Sequence, residues 1–83
     1  MAAPIDRDQI LNALRLTDSS KSSYLDLETG KVLLIDDTAT DADTEAQRTL
    51  IMEGYGDRYR YVSGGQVDAD DAAVQAWLDG EGL

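Results

Sequence analysis

The sequence predicts a small α+β domain: a three-stranded, mostly antiparallel sheet with three helices packed on it, in the order α-β-β-α-β-α. Three observations carry this reading. Two apolar stretches flank the Glu28-Thr29-Gly30 turn, as a hairpin requires. Three segments pair an acidic helix-start residue with apolar residues at helical spacing. One short aromatic stretch, "RYRYV", alternates in the manner of a strand. The 83 residues make one domain, 1–83, with no internal repeat and no linker.

In "PIDRDQILNALRL" Asp6 reads as an N-cap with Gln9 as its capping-box partner, and Ile5 and Ile10 sit at the staple positions. Ile10, Leu11 and Leu14 recur at helical spacing, which predicts a helix from about 7 to 16. "TDSSKSS" is a polar loop. "SYLDLETGKVLLI" is the hairpin, with Gly30 as the left-handed residue of a type I turn plus bulge. Leu25 and Leu27 share one face of its first strand, Tyr24 and Asp26 the other. The return strand, 31–35, is more continuously apolar, which predicts at least partial cover on both faces. Ala46 and Leu50, with Met52 or Glu53, mark a second helix at about 42–53, with Gly54 at C′. In the third strand Tyr59 and Tyr61 face one way, Arg60 and Val62 the other. In "VDADDAAVQAWLDG" Val67 reads as the staple residue, Asp68 as the N-cap and Asp71 as N3. Val74, Trp77 and Leu78 form its buried stripe, and Gly80 ends it.

Composition excludes several classes of function. Seventeen acids against seven bases leave a net charge of −10. Direct binding to DNA, RNA or anionic lipid needs Lys and Arg to displace counterions, so none is expected. A basic partner surface is favoured instead. Thirteen Asp against two Lys also fit a salt-adapted composition, in which carboxylates hold hydration. The absence of Cys removes disulfides and thiolate metal sites. No apolar run reaches the roughly 18 residues of a membrane span, and the first ten residues lack a signal-peptide pattern. A cytoplasmic location is the expectation.

No motif signals catalysis or a cofactor. Without His or Cys the commonest general bases and nucleophiles are missing, so a non-enzyme is expected. Ser19, Ser20, Ser22 and Ser23 flank Lys21 without the Ser-x-x-Lys spacing. The acidic stretch "DDTATDADTE" fails as a calcium loop. Counted from Asp37, positions 3 and 6 are Ala39 and Ala42; counted from Asp41, positions 6 and 12 are Ala46 and Met52. "GYGDRYRYV" echoes an RNA-binding strand only faintly, and a helix stop, a turn and a strand explain it.

The hairpin, through Tyr24, Leu25, Asp26, Thr29, Gly30 and Val32, resembles the N-terminal signature of a bacterial family of uncharacterised proteins, family 0158. Asp57-Arg58-Tyr59 resembles that family's second motif. Lys31 stands where the family has Glu, and the family's C-terminal helices have no counterpart. The resemblance implies the α+β fold and no activity. "VDADDAAVQAWLDGEG" has a weaker similarity to the acidic helices of phage anti-CRISPR proteins that imitate DNA.

The acids therefore hold the functional question. Residues 36–45 and 68–81 each carry five carboxylates and no base. At helix N-termini such charges are stabilised locally, and the remainder serve as a solvated surface. The candidate contact surface is Asp36, Asp37, Asp41, Asp43, Glu45, Asp68, Asp70 and Asp71. Two binding roles follow. One is a non-catalytic domain that binds a basic protein surface. The other is a nucleic-acid mimic occupying the basic groove of a nucleic-acid-binding protein, and it requires both clusters on one face. Pairing at the edge of the third strand is a further route to a partner.

Overall fold

The computed structural model describes residues 4–83. Part of the sequence on which the signal-peptide expectation rests, residues 1–3, lies outside the described residues. The elements are α1 (Arg7–Arg15), β1 (Lys21–Asp26), β2 (Lys31–Asp36), α2 (Ala42–Glu53), β3 (Tyr59–Val62) and α3 (Asp71–Gly80). The expected α-β-β-α-β-α order holds. The sheet is antiparallel throughout, in the order β2-β1-β3, which makes the hairpin's first strand the central one.

Side-chain alternation along the strands builds two cores. Leu25, Val32 and Val62 point to one face, where Ile10, Ala13 and Leu14 of α1 and Val74 and Leu78 of α3 cover them. Tyr24, Leu33, Ile35 and Tyr59 point to the other, where Ile51 of α2 is the one buried helix residue. The result is three layers, α1 and α3 on one face and α2 alone on the other. Both faces of β2 are thus partly covered, as its apolar run implied. Trp77 packs half-buried against the larger core.

The helix starts differ from expectation in instructive ways. Asp6 caps α1, accepting from the Gln9 N–H at 3.2 Å. The reciprocal half of the capping box is not formed. The Asp6 N–H donates to the Gly30 carbonyl at 2.7 Å, and Gln9 Oε1 accepts from the Val32 N–H at 2.7 Å. Both groups tie α1 to the hairpin rather than to itself. In α3 the cap is Asp70, accepting from the Ala73 N–H, and not Asp68. Ala69 is buried in the larger core with Val74, while Val67 is 61% exposed. The staple is therefore Ala69–Val74. The Ala69 carbonyl also accepts from Arg15 Nε at 2.7 Å, which fixes the chain's entry into the helix.

Three local features complete the fold. Strand β1 begins at Lys21, so part of the expected polar loop is strand. Gly30 has φ 75°, as expected, within a four-residue loop closed by its N–H on the Asp26 carbonyl at 2.8 Å. Gly54 is the C-cap of α2 at φ −100°, so it is not a left-handed C′ residue. A side chain there would press on the Tyr59 ring, 3.0 Å from an added Cβ.

Candidate functional site

The acidic stretch 36–45 is the exit from β2 and the entry to α2. Most of its carboxylates have local partners. Asp36 accepts from the Thr38 N–H and hydroxyl, bonds that hold its pKa below the usual carboxylate value, and it pairs with Lys21 at 3.8 Å. Asp41 caps α2; its bonds from the Thr44 N–H and hydroxyl lower its pKa in the same way. Glu45 pairs with Arg48 at 2.6 Å. Asp37 accepts from the Ser22 hydroxyl at 2.6 Å. Asp43 is exposed in the first turn of α2. In the second cluster Asp70 is the cap, Asp71 pairs with Arg7 at 3.1 Å, and Asp68 is exposed in the preceding loop.

The two clusters do not share a sheet face. One caps α2, the other caps α3, and these helices lie on opposite sides of the sheet. The helix dipoles and nearby bases account for much of the acid in both clusters.

A different surface gathers around Asp37. Helix α2 presents Thr44, Gln47, Arg48 and Ile51 to the sheet, three of them polar, so it covers that face incompletely. Tyr24 of β1 and Tyr61 of β3 pair across the strands, with ring centroids 5.4 Å apart and planes tilted by 56°. Tyr61 is 43% exposed, and Met52 and Tyr55 are more so. A cleft of about 150 Å³ runs between Tyr24 and α2, past Ile51 and Met52, with Asp37 at its rim. A larger open cleft, about 410 Å³, begins on the other side of the pair and is lined by Tyr61, Ser22, Asp37 and the Ser63–Gly65 loop. Asp37 borders both. Burial pushes the Tyr24 phenol pKa up, and the charge of Asp37 adds to the effect.

Strand alternation puts Tyr59 and Tyr61 on one face but does not show which of them a helix covers. Tyr59 is covered, at 3% exposure beside Ile51. Tyr61 shares its strand face but lies beyond the reach of α2. The available signal was the polar content of α2, which cannot cover a whole sheet face.

An ion pair between buried Asp26 and exposed Arg58 was also missed. Asp26, 3% exposed, accepts from Arg58 Nε and Nη2, each at 3.0 Å, and from the Glu28 N–H at 2.9 Å. The Arg58 bond holds the Asp26 pKa below its ordinary value and raises that of Arg58. Arg58 also lies over the Tyr59 ring at 5.1 Å. The pair joins the hairpin turn to the start of β3.

The edge of β3 offers little to an added strand. The outward N–H of Tyr59 donates to the Gly54 carbonyl, and its carbonyl accepts from the Gly56 N–H. Among the described residues no group of three or more His, Cys, Asp or Glu is placed to hold a metal ion, and no helix is long and apolar enough to cross a membrane. Comparison with protein-family models, curated proteins and solved structures finds no match.

Proposed function

We propose that this chain is a non-catalytic domain that binds a basic protein through the tyrosine-bearing face around Asp37. The observation that carries the reading is the exposure of Tyr61 and Met52, each lining a cleft with Asp37, where α2 leaves the sheet half-covered. Tyr and Met are enriched where proteins recognise one another, and exposed apolar groups gathered at a cleft mark such surfaces. The net charge of −10 selects a basic partner and speeds its approach. This narrows the contact from the eight acids named from sequence to one of them, Asp37, with its aromatic neighbours.

The test is capture on immobilised protein, eluted with a salt gradient, beside a Tyr61→Leu/Met52→Ala variant and a scrambled acidic chain of the same composition. The expected result is a protein retained by the wild type and by neither control. Equal retention on the scrambled chain would show charge alone at work and sink the reading.

A further inference from the structure

We infer that the Tyr24–Tyr61 pair, with Asp37, is a seat for an arginine side chain of that basic partner. The inference rests on the reading above and names what the surface recognises. The two phenol rings lie 5.4 Å apart with planes tilted by 56°, Tyr61 exposed and Tyr24 half-buried, and each ring carries a negative π-face. A cation over such faces is attracted by the ring quadrupole, and a guanidinium also stacks flat against one ring. Asp37 completes the seat. Its carboxylate borders the clefts on both sides of the pair and can accept the N–H fork of the guanidinium.

The charged groups facing this corner leave the seat open to a cation. Arg48 lines the α2 side, but its guanidinium is held by the Asp36 and Ala39 carbonyls, each at 2.7 Å, and by Glu45. Lys21 lines the other side and lies between Asp18 and Asp36, at 3.9 and 3.8 Å. Neither base turns to Asp37, whose hydrogen bond comes from a neutral hydroxyl, that of Ser22. Asp18, also in the larger cleft, adds negative charge. The fold already makes the same kind of contact once, with Arg58 over Tyr59 on the same sheet face.

The composition makes the experiment direct. The chain has four Tyr, one Trp, no Phe and no His, so its aromatic proton spectrum is sparse and each tyrosine ring can be followed. The probes are the blocked tripeptide Gly-Arg-Gly and its Gly-Gln-Gly counterpart, titrated at low salt. The expected result is a saturable shift of the Tyr24 and Tyr61 rings with the Arg peptide, half-complete in the millimolar range. The buried Tyr59 ring, already occupied by Arg58, stays still. The Gln peptide produces no such shift. Asp37→Asn weakens binding about fivefold, and Tyr61→Leu abolishes the Tyr24 shift while the Tyr59 signals report an intact fold. Equal shifts with both peptides, or an Arg-peptide shift unchanged in both variants, would overturn the proposal. A partner captured equally by wild type and Asp37→Asn overturns the arginine seat while leaving the domain a protein binder. Failure of capture altogether is failure of the broader reading.

Discussion

Replacing Asp26 by Asn isolates the charge of this buried carboxylate while keeping its shape. The geometry fixes the loss. Arg58 Nε and the Glu28 N–H both bond one carboxylate oxygen, and Arg58 Nη2 bonds the other. An Asn carbonyl can replace the first oxygen. Its NH₂ then faces the Nη2 donor, so one bond is lost outright and two become weaker. Hydrogen bonds to a charged group contribute roughly 1.5–3 kcal/mol, and Asp26 is shielded from water, so the variant is destabilised by about 2 kcal/mol. For a domain this small the urea slope is about 1 kcal/mol per molar, so the midpoint falls by about 2 M. Half-buried Trp77, the chain's single tryptophan, reports the transition. The sign of the pH dependence follows from the lowered Asp26 pKa. Its stabilisation is complete above the unfolded value, near 3.8, and is lost as pH falls through the lower folded value. The gap between wild type and variant is therefore flat from pH 5 to pH 8, roughly, and closes below about pH 4. Asp18, Asp36 and Asp41 also have lowered pKa values, but both proteins share them and they cancel. A gap under about 0.5 kcal/mol at neutral pH, or one that persists at pH 2, would refute the reasoning.

Three further outcomes follow from the fold. Asp70→Ala removes the α3 cap and costs about 1 kcal/mol in urea unfolding, whereas Asp68→Ala stays within about 0.5 kcal/mol; the reverse order would restore the cap read from sequence. Gly64→Ala places a Cβ against the Leu16 and Ala13 carbonyl oxygens, backbone that cannot yield, and is destabilised by more than about 2 kcal/mol on the same assay. The outer edge of β2 is blocked where Gln9 bonds the Val32 N–H and Arg48 bonds the Asp36 carbonyl. The Gln9→Ala/Arg48→Ala variant therefore gains concentration-dependent self-association over wild type in sedimentation, and unchanged sedimentation would show that the edge is protected by other means.

The legible part of this fold is the part set by local chemistry. Asp6 caps its helix because a short side-chain acceptor beside an apolar-periodic run has few alternatives. Gly30 takes its positive φ because the hairpin loop needs it. The errors arose where a distant residue outbid the local one. Gln9 had a capping role available, yet its oxygen went to β2. Asp68 resembled a cap, yet burial of Ala69 moved the helix start. In α2 the sheet-facing stripe is Thr44, Gln47, Arg48 and Ile51, so hydrophobic periodicity selected Leu50 and Met52, which are exposed.

That last error bears on function. A helix whose inner face is mostly polar cannot seal a sheet, and the uncovered remainder is where Tyr61 and Asp37 lie. The acidic stretch draws the eye because it is contiguous in sequence. In the fold four of its five carboxylates are divided between a cap, two ion pairs and a hydroxyl bond, and Asp43 is exposed. Contiguity in the chain therefore overstates it as a site. Tyr24, Asp37 and Tyr61 come from two strands and a strand exit, and only the antiparallel registers of β1 with both its neighbours bring them together. A binding surface assembled by register leaves no run of residues to find. What it leaves in the sequence is an inconsistency, a helix too polar for the sheet face it must cover.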